Sequence, residues 1–243
     1  MTPESAPPLL LLTRPRAQSQ RFAEAARAAC PPHTALIAPL TEIVMLPIAP
    51  EALDGAVLVF TSVNGVAAVA GLPRRGGQEA WCVGPATAAV ARATGFAVRQ
   101  SGGDAAHLLA DLRTTQPEGP LVHVRGRHVA CDLAATLARE GMTIRAVVAY
   151  EARAVPWGAA VMPMLAVAAR VVAPLFSPRA AEELAVRLAG AVPAGLQIVA
   201  ISPACADRLP AELRAHATTA DRPDADAMLR AVADALSQAA RKP

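Results

Sequence analysis

Nine polar residues in this 243-residue chain follow closely on short apolar runs, where a strand would hand over to a helix: Arg14, Ser62, Asn64, Thr87, Arg125, Arg127, Ser177, Arg179 and Ser202. Helix starts present unpaired N–H groups and the positive end of the helix dipole, so polar groups placed there suit anions. Arginine adds a planar fork that matches carboxylate and phosphate. The plainer alternative is that each Ser or Thr only caps its helix. The repetition of the pattern carries more weight than any single position. Tyr150 is the only tyrosine; it reads either as a packing residue with a wet tip or as a hydroxyl donor to a bound substrate.

Other chemistry is poorly supported. There is no GxSxG elbow, Walker A loop, GxGxxG fingerprint or HExxH motif. His33, His107, His123, His128 and His216 have no ligand spacing, and His123, on an expected strand, reads as a packed core histidine. Cys30, Cys82, Cys131 and Cys205 are scattered without a CxxC pair, so neither metal nor disulfide is expected. Cys205, near a helix start, is expected to have a lowered thiol pKa, but no base accompanies it.

The elements that would position these residues are legible. Strands are expected at 9–12, 56–60, 80–83, 121–124, 171–175 and 197–201, each followed by a small or polar residue, often a proline, and then an Ala/Leu-rich helical stretch. Gly71, Gly95, Gly141 and Gly190 read as helix stops. In the helix after Ser177, Ala180, Leu184 and Leu188 share a face, and Glu183 is expected to pair with Arg187. This alternation specifies an α/β fold with parallel sheets.

The pattern also repeats. Leu12–Arg16 lies over His123–Arg127 at an offset of 111 residues, Phe60-Thr61-Ser62 over Leu175-Phe176-Ser177 at 115, and Val83–Ala88 over Ile201–Ala206 at 118. Asp104 with Leu108-Leu109 lies over Asp224 with Met228-Leu229 at 120. Two similar α/β units follow. PLTEIVMLP (39–47) and TIRAVVAYE (143–151) fit neither unit and read as paired connector strands. The expected organisation is therefore a discontinuous first lobe of 1–37 plus 152–243, connector strands at 38–49 and 142–151, and a second lobe at 50–141. If the lobes face one another, about six helix starts converge on one cleft.

Composition narrows the function classes. Twenty-two arginines against a single lysine read first as genome bias, and a net charge of +3 without interleaved aromatics argues against nucleic acid. No secretory signal or membrane span is expected: 188–206, an uncharged stretch as long as any in the chain, is interrupted by Gly190, Pro193, Gly195, Gln197 and Pro203. A cytoplasmic protein is the expectation, and nothing demands more than a monomer.

These pieces together resemble the uroporphyrinogen-III synthase family of tetrapyrrole biosynthesis. The resemblance rests on Thr13-Arg14-Pro15, FTSVNGV (60–66), VGPATAAVARATG (83–95), HVRGRHVACDLAATLAREG (123–141), VVAYEA (147–152), FSPRAA (176–181) and AISPACA (200–206), which span nearly the whole chain in family order. It implies two flavodoxin-like lobes joined by a two-stranded β connector. It implies cyclisation of hydroxymethylbilane, a linear tetrapyrrole polycarboxylate, with inversion of ring D, and neither metal nor organic cofactor. Tyr150 would donate to the departing hydroxyl; Ser62, Thr87 and Ser177 would hold carboxylates. Phe176 and Cys205 stand where the family usually has threonine, and Arg179 is the nearest compensating donor. The rival reading is a non-catalytic two-lobed intracellular binding module for a small anionic metabolite.

Overall fold

Strands that are apolar on both faces must be covered on both faces, and in the computed structural model the expected runs form the centres of two such sheets. The structure describes residues 6–73, 76–102, 105–128, 132–139 and 141–241. Asp104, Cys131 and part of the 123–141 motif lie outside these. Contacts divide the chain into two units, Met1–Glu42 with Ala154–Pro243, and Ile43–Arg153.

In the first unit, β1 (Leu9–Leu12), α1 (Arg16–Ala29) and β2 (Thr34–Ile37) open the chain, and β3 (Thr41–Met45) leaves it. The second unit continues with β4 (Val57–Phe60), α2 (Val63–Val69), β5 (Glu79–Val83), α3 (Pro85–Ala93), β6 (Ala97–Ser101), α4 (Ala105–Thr115), β7 (Leu121–Gly126), α5 (Leu133–Ala138) and β8 (Ile144–Ala154). The chain then completes the first unit with α6 (Val161–Val167), β9 (Val171–Leu175), α7 (Pro178–Leu188), β10 (Leu196–Ala200), α8 (Pro203–Ala206), α9 (Ala211–Arg214), β11 (Ala217–Thr219) and α10 (Ala225–Arg241).

The sheet orders are β11-β10-β9-β1-β2 and β3-β8-β7-β4-β5-β6. Equating β1 with β7, β9 with β4 and β10 with β5, as the sequence repeat requires, brings β2 onto β8 and β11 onto β6. The five-strand order is then the same in both units. In chain order the strands read as two tandem copies of one set, β1 β2 β4 β5 β6 followed by β7 β8 β9 β10 β11. Each sheet takes two strands from one copy and three from the other. The segments read as a connector hold β3 and β8; these are neighbours, and β8 continues into the second sheet by pairing with β7 in parallel.

Each sheet carries a core on either face. In the first unit, Leu9, Leu11, Ala173 and Leu175 meet Leu165, Leu184 and Leu188 on one side, while Leu10, Leu12 and Val172 meet Phe22, Ala26, Met228 and Leu236 on the other. The second unit has Leu58, Phe60, Val122 and Val124 against Val66 and Ala91, and Val57, Val59 and Leu121 against Leu108, Leu112, Leu133 and Leu137. Helix α2 lies so close to β7 that a Cβ on Gly65 would meet the Val124 carbonyl oxygen at 2.7 Å. Only glycine fits there.

Three local expectations need correction. Gly95, Gly141 and Gly190 take positive φ, but Gly71 does not. Glu183 pairs with Arg179 at 2.7 Å rather than with Arg187, whose guanidinium instead donates to the Val155 carbonyl at 2.5 Å. The buried face of α7 is Ala181, Leu184 and Leu188, with Ala180 only half-buried.

Candidate functional site

In an open α/β sheet the ligand crevice lies beyond the carboxyl ends of two adjacent strands whose following helices go to opposite faces. In the first unit these strands are β1 and β9: α1 packs with the Leu10/Leu12 face and α7 with the Leu9/Leu11 face. The β1–β9 register includes only Leu9↔Val171 and Leu10↔Val172. Pro174, which has no N–H to give a ladder, sits just beyond that register. The sequence has thus placed a strand-parting residue where a crevice is needed.

Arg14 leaves β1 and lays its guanidinium 4.2 Å from the centroid of the Phe176 ring, which follows β9. Its Nε donates to Gln18 Oε1 at 3.0 Å, and its carbonyl accepts from Ser19 Oγ at 2.8 Å. Burial, helped by the charge of Arg21, lowers its pKa, yet it remains a cation. Ser177 caps α7, its Oγ accepting the Ala180 N–H at 3.2 Å, and Ser202 caps α8 through the Cys205 N–H at 3.3 Å. In each the hydroxyl proton stays available for an external acceptor. Arg179 spends its Nε on Glu183. The Cys205 thiol is buried, donating toward the Ser177 carbonyl at 3.2 Å. Burial raises its pKa, against the lowering expected from a helix start, because desolvation outweighs the backbone hydrogen bonds to Ile201 and Ser177.

The equivalent strands in the second unit are β7 and β4. Ser62 caps α2 by accepting the Asn64 N–H at 3.2 Å, and Asn64 is half-buried in the first turn. Next along the sheet, α3 starts at Gly84, with φ +79° and no side-chain cap, and Thr87 lies in its first turn at 6% exposure. Arg125 Nη1 reaches the Gly126 and Arg127 carbonyls at 3.2 and 3.3 Å, while its buried Nε has no hydrogen-bond partner among the described residues. Arg127 is engaged by Glu151 at 2.7 Å, and the same carboxylate holds Arg153 at 2.7 Å. Those two arginines hold the Glu151 carboxyl below its ordinary range.

Tyr150 lies within β8 rather than at its end. A register irregularity between Arg125 and Gly126 sets Gly126 opposite Tyr150. The irregularity overrides strand alternation, so Ala149 and Tyr150 both pack on the Phe60/Val124 face. The ring lies against Gly126: a Cβ there would come 2.8 Å from Cε2 and 3.0 Å from Cζ. Among the described residues no hydrogen bond is made to the Tyr150 hydroxyl.

Two partnerships escaped the residue-by-residue reading. Thr61 Oγ1 and His123 Nε2 are 3.2 Å apart, and Phe176 serves as a platform for Arg14. A cavity of about 550 Å³ lined by Leu53, Ala56, Val69, Gln78, Phe96 and Glu118 opens at the amino ends of β4 and β5. It contains none of the candidate residues and lies on the wrong sheet edge for a switch-point ligand. Among the described residues no group of three or more His, Cys, Asp or Glu could hold a metal ion. No helix among them is long and apolar enough to cross a membrane.

Two sheets that share the five-strand order 2-1-3-4-5, the second with β3 added at its edge, with polar side chains at the switch point of each, define a doubly wound α/β protein of two swapped repeats. The family model described as uroporphyrinogen-III synthase HemD matches residues 20–230, and the chain belongs to that family. It is similar in fold to the uroporphyrinogen-III synthetase of Helicobacter pylori 26695, with a TM-score of 0.66, 16% identity, and coverage of 94% of this chain and 99% of that one. A mutant uroporphyrinogen III synthase from the extremely thermophilic bacterium Thermus thermophilus gives a TM-score of 0.55 and 16% identity, over 96% of this chain and 100% of that one. No curated protein sequence matches the chain.

Proposed function

We propose that the chain cyclises hydroxymethylbilane to uroporphyrinogen III, inverting ring D and releasing water, as a monomeric cytoplasmic lyase that uses no metal or organic cofactor. Family membership supplies the reaction, and one observation carries the residue assignment: both switch points place an arginine beside a serine-capped helix start. Substrate carboxylates would accept from the hydroxyls of Ser62, Thr87, Ser177 and Ser202 and the amide of Asn64, with Arg14, Arg125, Arg127 and Arg179 supplying charge. The orphaned Arg125 Nε is the most direct invitation, since an unmet buried donor favours whatever acceptor reaches it.

Tyr150 would act where the C–O bond of the hydroxymethyl group breaks, its hydroxyl donating to the departing oxygen so that water leaves. Its ring is held against Gly126, and its hydroxyl is uncommitted among the described residues. Positioning does the rest, because the folded bilane must be kept from the easier closure without inversion. The test is to supply hydroxymethylbilane and identify the isomer formed. Uroporphyrinogen III, formed faster than the spontaneous reaction, is the expected result; type I alone at the spontaneous rate would favour a binding module instead.

A further inference from the structure

One buried polar group is used by none of these steps. His123 is 2% exposed in the middle of β7, and its Nε2 lies 3.2 Å from Oγ1 of Thr61, an exposed residue between the end of β4 and the Ser62 cap. The repeat makes the contact informative. His123 corresponds to Leu12 and Thr61 to Phe176, and those two residues pack in one apolar cluster of the first unit. The same place in the fold is therefore satisfied by plain hydrophobic packing in one copy. Burying a histidine there instead has a cost, and the hydrogen bond to Thr61 offsets part of it.

The chemistry of the contact fixes what it can do. A neutral imidazole offers one donor nitrogen and one acceptor. If Nε2 accepts, the Thr61 proton points inward and its lone pairs face outward, repelling an anion. If Nε2–H donates, Thr61 Oγ1 is held from behind and its proton is free to face outward. An anion at this junction selects the second arrangement. The charged groups around the imidazole are Arg125 on its own strand and Asp132 at the start of α5; burial and Arg125 keep the ring neutral, its pKa pushed down to about 4. Thr61 follows Phe60 as Arg125 follows Val124 in the β4–β7 register, so the hydroxyl neighbours the arginine whose Nε is unmet.

We propose that His123 is a positioning residue that acts through Thr61: its Nε2–H turns the Thr61 hydroxyl outward as a carboxylate donor at the β4–α2 junction. The proposal rests on the substrate being the polycarboxylate named above. Its test is steady-state kinetics on hydroxymethylbilane with Thr61→Val, His123→Leu, the double variant and His123→Gln, whose amide nitrogen can stand near Nε2. Thr61→Val, a substitution at the surface, is expected to raise KM about tenfold, the scale of one hydrogen bond to a charged group, with kcat little changed. The double variant should be no worse than Thr61→Val, and His123→Gln should recover most of the His123→Leu loss. An unchanged KM in Thr61→Val, or additive effects in the double variant, would overturn the proposal while leaving the enzyme reading intact. A wild-type chain that makes only the type I isomer would remove both.

Discussion

The two switch points are copies of one design that have diverged in opposite directions. The first unit has become apolar and aromatic: Leu12 and Phe176 pack together, Arg14 stacks on the ring, and Cys205 is a buried neutral thiol. The second has become polar: His123 meets Thr61, Thr87 stands in the place of Cys205, and Arg125 keeps a buried donor unmet. Only the second has a tyrosine against its glycine, Tyr150 on Gly126. A shared serine cap, Ser62 in one and Ser177 in the other, survives in both. Invariance of the caps reflects their structural duty. Divergence of their neighbours fits the different roles proposed for the two junctions.

The largest expected contrast is in acid. His123 has a folded-state pKa of about 4, below its ordinary value near 6.5. Protonation therefore favours the unfolded chain. The stabilisation from keeping the ring neutral is complete above pH 6.5 and is lost as pH falls toward 4, up to roughly 3 kcal/mol. Urea denaturation across this range should show a loss that His123→Leu removes. A pH dependence unaltered in that variant would mean that the second unit's polar pair has no such cost.

Tyr150→Phe should lower kcat about a hundredfold with KM within about twofold, the behaviour of a lost transition-state donor. An unaffected kcat would return Tyr150 to the role of a packing residue and make the two junctions more alike. Transplanting the polar pair sharpens the contrast further. Leu12→His should cost about 2 kcal/mol for a buried, unpartnered imidazole, and combining it with Phe176→Thr should cost about 1 kcal/mol less than the sum of the two single losses. The two effects are read from denaturation midpoints, and no coupling between them would show that the sites are not equivalent. The smallest effect is the shared one. Ser62→Ala and Ser177→Ala should each cost about 1 kcal/mol of stability, since both remove the same cap.

Much of this was legible because the central strands are apolar on both faces. The runs at 9–12 and 171–175 could not be anything but buried, and the serines and prolines after the strands marked the helix starts. The duplication was legible too, since sequential offsets need no knowledge of packing. What escaped were strands β2, β6 and β11, which have largely exposed sides and polar residues such as Arg99, Gln100 and Thr218. An edge strand buries too little to imprint a pattern. The swap between copies was hinted at only by the connector. The sites were legible as types and not as partners: Thr61 and His123 are 62 residues apart and meet through strand register. Glu183 had two arginines at helical spacing, and only the carbonyl of Val155, far away in sequence, decides which one it keeps.

On the proposed assignment, these two unlike junctions serve one cyclising reaction. The decisive measurement titrates the purified chain into freshly prepared hydroxymethylbilane and reads the ratio of type III to type I uroporphyrinogen. The type III fraction is expected to rise with protein until it dominates, and to fall back toward type I at equal protein for Tyr150→Phe. Type I alone at every protein concentration would contradict the assignment.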